Sequence, residues 1–433
     1  MTSKLISHNM TFKGIEAVPG VMDYDQRGIV FAQRGDIVLT HQPPESSYLA
    51  YLQTLEYPVD SITFISPPKK IPNRNYTSIF TNKSIITQLK KLVSQSANNY
   101  VLDDYIPSVY DQKLARLLNI KHCNNAPVSL RYGTKSGFRV FAQKANLPYA
   151  QGFKNLTSPR QIQQKIIYLF KTGSTKVVAK IDDGISGYGN LIFTAPDHQS
   201  ELSALSPIKF RQKYLDQIRW GQVKQAVVES WIEGGINSPS ILIYLTPQGS
   251  QIYCLQDQLL EHGDKWAGCY FPSTLLKHKQ KYKQLMDIID KSNQFLRAKN
   301  FWGYYSFDIL ETKTQLFAIE ANMRKIGSFY GRAIANHLRS HSLLKKSTAP
   351  YVVSDYRHDR WIGQNFSVLS TCLNQLLWNK HTQTGVIPYN VKALDEGGRF
   401  DFVILAPTPD QAIKLREKII SHLNTYRLPA PHR

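Results

Sequence analysis

The sequence predicts a mixed α/β (α+β) protein of more than one domain. Three observations carry that expectation. Short apolar runs alternate with helical stretches over residues 1–125, the pattern of a small α/β domain. A later stretch, 303–324, reads as two strands around a polar turn, a β-hairpin. At 433 residues, with 42% hydrophobic and 20% charged side chains, the chain has an ordinary globular composition and the length of about two to four domains. That composition excludes disorder throughout. No apolar run approaches the ~18 residues of a membrane span.

Three consecutive blocks organise the elements. In the first, 1–125, the apolar runs 28–32, 36–40 and 61–66 read as strands, and 85–97 and 111–118 as helices. Pro43-Pro44, Pro67-Pro68 and Pro72 punctuate the loops. Nothing in this block reads as catalytic. In the second, 126–346, Ser158-Pro159-Arg160-Gln161 opens a helix with a Ser cap, Pro at the first helical position and Gln at the third. Ile162, Ile166, Ile167, Leu169 and Phe170 follow at helical spacing. Strands are expected at 176–181, 225–231, 240–246, 250–255, 303–310 and 315–321, with a long polar helix at 279–299. In the third, 350–433, Gly397-Gly398 leads into the strand 400–405, and Thr408-Pro409-Asp410-Gln411 starts a last helix with the same capping pattern. This block reads as a packing or lid module.

Lys plus Arg number 53 and Asp plus Glu 32, a net charge of +21 that favours anionic partners. The excess is diffuse, with local runs only at 277–283 and 345–346, so a solvated basic surface is preferred over a nucleic-acid stripe. The N-terminus lacks an apolar core, so no secretory signal is expected. Cys123, Cys254, Cys269 and Cys372 lack metal-ligand spacing and fit a reducing cytoplasm.

Three stretches could carry chemistry. In 176–190 a strand ends at Lys180, and a loop follows with Gly184, Gly187 and Gly189. Glycines let backbone N–H groups approach phosphate oxygens. The order of residues is neither a Walker A loop nor a Rossmann fingerprint, and an ordinary hairpin turn fits as well. In 225–235 an apolar strand carries Glu229 and Trp231 and breaks at Gly234-Gly235. Such an exit can offer backbone groups to a base edge, or be plain core. In 303–324, Glu320 and Asn322 lie two apart on one strand face, and Asp308 lies on the facing strand. Acids among Phe, Leu, Ile and Ala are costly to bury unpaired. Oxygen donors at this spacing suit Mg²⁺, which takes one or two carboxylates plus phosphates. With a three-residue turn at Thr312, Lys313 and Thr314, Asp308 would face Ala318, and Glu320 would be its diagonal neighbour roughly 7–8 Å away. Arg324, two past Asn322, would lie on the same side and clamp a phosphoryl group. The plainer alternative is a structural hairpin with solvent-facing acids.

Taken in order, these residues resemble the ATP-grasp carboxylate–amine ligases. Glu320-Ala321-Asn322-Met323-Arg324 is similar to that superfamily's Glu-x-Asn-x-Arg metal motif, with Asp308 as the upstream acid. Glu229-Ser230-Trp231-Ile232 resembles its adenine hinge, and Lys180 with Gly187-Tyr188-Gly189-Asn190 its phosphate-covering loop. Lys135, ahead of Ala145-Asn146-Leu147-Pro148, resembles its earlier phosphate-binding lysine. Ile236-Asn237-Ser238-Pro239-Ser240, Asp257-Gln258 and Gly268-Cys269-Tyr270-Phe271-Pro272 are similar to the pheganomycin-type peptide ligases. One departure is Lys325-Ile326-Gly327-Ser328-Phe329-Tyr330, where relatives carry a Gly-Thr-Thr-His-like run; another is Ile236, near where many members place an acid on the ribose.

The resemblance implies an ATP-grasp fold at 126–346, a pre-ATP-grasp domain at 1–125 and a small C-terminal domain at 350–433. It implies a cytoplasmic, ADP-forming peptide or amide ligase using ATP and Mg²⁺ (one or two ions, with Mn²⁺ able to substitute). Asp308, Glu320 and Asn322 would hold the metal, and Lys135 and Lys180 the phosphates. Gly187, Tyr188, Gly189 and Asn190 would cover the phosphates, Glu229, Ser230, Trp231 and Ile232 would face the base, and Arg324 would act with Lys180 in catalysis. The partners would be small-molecule or peptide carboxylates and amines. The oligomeric state stays open, a homo-oligomer included. Two alternatives are a degenerate ATP-grasp scaffold for nucleotide or protein binding and, less favoured, a basic nucleic-acid-binding protein.

Overall fold

The alternation read in the first block closes into a five-stranded, all-parallel sheet. Its order is Thr63–Ile65, Ile37–Leu39, Thr2–Ser7, Asn99–Asp104, Lys121–His122. The computed structural model describes residues 2–10, 19–67, 78–96, 99–182, 189–218, 220–261, 265–345 and 350–429. Its contacts divide the chain into two compact units. One comprises Met1–Ala126, Ala267–Pro272 and Arg324–Arg433, and the other Pro127–Trp266 and Ser273–Met323.

In the first unit, helices Lys83–Gln95 and Val109–Leu118 cover the parallel sheet over a core of Leu5, Ile37, Leu39, Ile85, Leu89, Leu102 and Leu114. The run 28–32, expected as a strand, ends a 3-10 helix instead, Val21–Phe31. Its sequence, with Asp23, Asp25, Gln26 and Arg27 ahead of Gly28, has no period-two alternation. Gly28 lies so close to the Thr2–Ser7 strand that a Cβ would stand 2.7 Å from Ile6 Cγ2. Antiparallel strands in this unit align 267–271 with Tyr351–Arg357, then Arg399–Leu405, then Gly385–Tyr389. The helix Pro409–Thr425 buries Ala412, Ile419 and Leu423, and Thr408 Oγ1 accepts from Gln411 N–H as its capping pattern predicts.

The second unit holds two antiparallel sheets. The smaller runs Gly152–Leu156, Ala226–Ser230, Lys176–Ile181, Asn190–Thr194. Val177, Ala179, Ile181, Ala226 and Val228 point from it onto Ile162, Ile166, Leu169 and Phe170 of the helix Pro159–Lys171. The larger places Gly303–Thr312 between Leu316–Asn322 and Pro239–Leu245, with Ser250–Glu261 beyond. Its core face (Ile241, Ile243, Tyr305, Phe307, Ile309, Ala318 and Ala321) packs on Phe138, Phe141, Leu285, Ile288 and Ile289. These last five come from the helices Lys135–Lys144 and Lys279–Arg297.

The first unit also holds a buried charge cluster that sequence reading missed. Lys325, with no exposed surface, pairs with Asp103 at 2.8 Å and donates to the Asp104 carbonyl. Asp103 also meets His8 Nε2 at 2.8 Å, and His8 Nδ1 meets the Tyr330 hydroxyl at 2.9 Å. Burial lowers the His8 pKa against the pull of Asp103, so the imidazole stays neutral near pH 7. Burial also opposes the Asp103 charge, yet Lys325 and His8 outweigh it and hold that carboxyl far below its usual range. Replacing one member alone leaves an uncompensated charge in the interior. Lys325→Met should therefore cost about 3–5 kcal/mol of stability, and Lys325→Met with Asp103→Asn less than that. Urea unfolding midpoints measure both. A single variant with the wild-type midpoint would contradict the pairing.

Candidate active site

The geometry of the 303–322 hairpin differs from the simplest expectation, and the difference sharpens the site. The turn has two residues, Lys313 and Thr314, with Thr312 N–H bonded to the Gln315 carbonyl at 3.0 Å. The register then runs Leu310↔Phe317 and Ile309↔Ala318 but next Asp308↔Glu320, Phe307↔Ala321 and Ser306↔Asn322. Ile319 is an extra, bulged residue. Asp308 therefore faces Glu320 directly rather than Ala318, with Cβ atoms roughly 4.5–5.5 Å apart instead of a diagonal 7–8 Å. Asn322 and Ser306 share their face. On the other side Asp308 is opposite Ser240, whose hydroxyl donates to it at 2.9 Å.

The helix Lys135–Lys144 supplies the cations. Asp182 fixes its start: its carbonyl takes the Lys135 N–H at 3.2 Å, and its Oδ1 takes the Ser136 N–H at 2.9 Å. Thr134 caps the same end by accepting from Gly137 N–H. Lys135 Nζ lies 3.8 Å from Glu320. One turn later Arg139, which sequence reading passed over, pairs with Glu229 at 2.6 Å. The i, i+4 spacing from Lys135 was the available signal.

Glu229 also pairs with Lys180 at 2.7 Å. Strand register explains it: Val178 is opposite Glu229, so Lys180, two residues on, is its diagonal neighbour on the same face. Burial works against the Glu229 charge, but Lys180 and Arg139 outweigh it and hold the carboxyl below its ordinary range. Asn190 is opposite Lys180, and its Oδ1 is buried with no hydrogen-bond partner among the described residues. Gly189 has φ +93°, and its carbonyl accepts the Ile181 N–H at 3.0 Å. Gly184, Gly187 and Tyr188 lie outside the described residues.

Past Glu229 the backbone is partly committed. Ser230 N–H bonds the Gln151 carbonyl and Trp231 N–H the Lys176 carbonyl, both at 2.9 Å. Ile232 follows beyond these bonds. The Trp231 ring carries Lys176 Nζ at 3.7 Å from its centre. The second unit thus gathers Lys135, Lys180, Gly189, Asn190, Glu229, Ser230, Trp231, Ile232, Asp308, Glu320 and Asn322. Arg324 belongs to the first unit, where its Nη1 donates to the Lys325 carbonyl at 2.9 Å.

Two acids directly opposite each other on a sheet repel unless a cation lies beside them. Lys135 stands on the Glu320 side at 3.8 Å, and a carboxylate pair so placed also suits an added metal ion. No three His, Cys, Asp or Glu side chains converge as a metal cage among the described residues. Two carboxylates and an amide form the sparser set expected of Mg²⁺ that keeps positions for phosphate oxygens. The donor set therefore fits. The four cysteines are buried free thiols, and no described helix is long and apolar enough to cross a membrane.

The fold defines the class, a protein of ATP-grasp fold. Residues 25–120 match the pre-ATP-grasp domain family. The L-propargylglycine–L-glutamate ligase of Streptantibioticus cattleyicolor is 20% identical over 385 residues, covering 81% of this chain and 76% of that protein. Among solved structures, the ADP complex of N5-carboxyaminoimidazole synthetase from Staphylococcus aureus superposes with a TM-score of 0.57 at 12% identity, covering 97% of this chain and 96% of that one. The biotin carboxylase domain of the 2-oxoglutarate carboxylase from Hydrogenobacter thermophilus gives a TM-score of 0.59 at 11% identity, covering 99% and 90%.

The Glu229 contacts predict a pH-dependent contribution to stability. Its folded pKa lies below the free value of 4.5, so the contribution is present above about pH 4.5 and is lost as pH falls through the folded value. Glu229→Gln leaves Lys180 and Arg139 buried with no anion between them. The expected loss at pH 7 is about 3–5 kcal/mol, shrinking below pH 4.5. Denaturant titrations of both proteins across that range measure it, and a gap that does not change with pH would refute the assignment.

Proposed function

We infer that this protein is an ATP-dependent carboxylate–amine ligase that works through an acyl phosphate. The observation that carries the reading is the bulge-set juxtaposition of Asp308 and Glu320, with Asn322 on the same face and Lys135 beside them. The ADP-bound state of the similar synthetase and the ligase activity in the similar protein's name support it.

A carboxylate is a poor electrophile. Transfer of the terminal phosphoryl group of ATP turns one of its oxygens into a leaving group, and attack by an amine then gives the amide and phosphate. The site's task is to position reactants and neutralise developing charge. Lys180 and Lys135 hold phosphate oxygens. Lys180 is already fixed by Glu229, so part of its ordering cost is met before nucleotide arrives. Asn190, opposite Lys180, and the neighbouring Gly189 would meet the same phosphates, and Gly187 and Tyr188 keep the covering role that the resemblance implies. Ser230, Trp231 and Ile232 line the base, with Ile232 N–H free of the two sheet bonds that engage its predecessors. Asp308, Glu320 and Asn322 would hold the metal, which would supply positive charge to offset that of the phosphates. Arg324 neutralises the acyl phosphate. Exclusion of water protects that intermediate from hydrolysis.

The test is ADP release and product mass over a panel of amino-acid and peptide pairs. Glu320→Gln and Arg324→Ala should abolish amide formation while the circular dichroism spectrum is unchanged, and Lys180→Ala should weaken ATP binding. Wild-type turnover in either of the first two variants would overturn the mechanism. Nucleotide binding with no turnover for any pair would favour a nucleotide-sensing scaffold.

A further inference from the structure

The two acids of the hairpin have different neighbours. Glu320 has an ammonium group beside it, Lys135 Nζ at 3.8 Å. Asp308 has a hydroxyl: Ser240 Oγ donates to Asp308 Oδ1 at 2.9 Å. Strand register produces this contact. Ser240 is directly opposite Asp308 where Pro239–Leu245 pairs with Gly303–Thr312, so the two side chains share a face. On its other side Ser240 is opposite Gln256 of the strand Ser250–Glu261. Glu320, Asp308, Ser240 and Gln256 therefore form one row across four strands, all within the second unit.

Ser240 is 2% exposed, and its strand is paired along both edges. Its hydroxyl is thus carried by backbone that is itself held in place. A carboxylate turns easily about its bond to Cβ, whereas Mg²⁺ demands oxygen donors in near-octahedral positions. A hydrogen bond to one carboxylate oxygen fixes the plane of the group and so the direction of the other oxygen. A hydroxyl does this without bringing a charge. An ammonium in its place would offset the negative charge that attracts the ion. A serine on this face is not enough by itself. Ser306 lies on the same face two residues before Asp308 and has no exposed surface, yet its Oγ has no hydrogen-bond partner among the described residues.

We propose that Ser240 is a positioning residue of the metal site, its hydroxyl orienting Asp308 toward a divalent cation. The proposal rests on the ligase reading for the metal, though not for the acid or the amine. Ser240 acts through Asp308 and touches no reactant. Its removal costs grip on the ion rather than the fold of the sheet, because the register that pairs the strands is made by their backbones.

Metal binding tests this without turnover. Mn²⁺ is titrated into the full-length protein with ADP present, and enhanced relaxation of water protons reports the ion held on the protein. Ser240→Ala should raise the Kd for Mn²⁺ about 10–100-fold. Ser240→Thr, which keeps the hydroxyl, should recover most of the wild-type affinity, and Ser306→Ala should bind Mn²⁺ as the wild type does. ADP affinity in EDTA should be the same in all four proteins. With a substrate pair found by ADP release, Ser240→Ala should raise the Mg²⁺ concentration for half-maximal rate more than it lowers kcat at saturating Mg²⁺. Wild-type Mn²⁺ affinity in Ser240→Ala, an equal loss in Ser240→Thr or Ser306→Ala, or a parallel loss of ADP affinity in EDTA would each overturn the proposal and leave the ligase reading standing. Weakened Mn²⁺ binding in Ser240→Ala beside a wild type that turns over no pair would overturn ligation and support the role of Ser240. A wild type that holds no Mn²⁺ would overturn both.

Discussion

Ile319, one residue without a cross-strand partner, determines which side chains the hairpin shows to each face. Side chains alternate along a strand, so a slip of one position exchanges the two faces. Without the bulge, Asp308 would be opposite Ile319, and Glu320 would turn toward Phe307 and the core. With it, Ala318 and Ala321 stay packed on the helices while Glu320 and Asn322 join Asp308 and Ser306 on the opposite face. The bulge thus places two like charges side by side. That arrangement is unfavourable in isolation and becomes useful when cations meet it, first Lys135 and then, in the proposed reaction, the metal ion these residues would hold.

The interior is unusually rich in charge for a molecule of such basic composition. Glu229 is held between Lys180 and Arg139, and Asp103 between Lys325 and His8. Each is an anion serving two donors, and in both the attraction of its partners outweighs the penalty of burial. Such networks contribute less to net stability than to uniqueness of arrangement, because the wrong register would strand a charge in an apolar interior.

Much of the architecture was legible because it rests on local rules. The Ser158 and Thr408 caps, the strand Lys176–Ile181 and the two arms of the hairpin follow from spacing and capping chemistry over a few residues. The bulge was not legible. Lys313-Thr314 carries no glycine to announce a two-residue turn, and nothing around Ile319 marks an extra residue. The strand Tyr351–Arg357 was missed because Ser354 and Asp355 interrupt its apolar run, although Ser354 is buried and bonded to the Ala267 carbonyl. Lys325, Asp103 and His8 are brought together from positions 95 or more residues apart, and no short window along the chain contains them. Arg139 was within reach of helical periodicity from Lys135.

The helix Lys135–Lys144 touches both halves of the charged face at once, meeting the hairpin acid through Lys135 and the inter-strand carboxylate through Arg139 one turn later. A rigid rod with two such footholds behaves as a mechanical linkage. Any screw or slide that shifted one foothold would shift the other, so the two sheets of this unit are geared together, and evolution can adjust the grip on either only by changing a part they share.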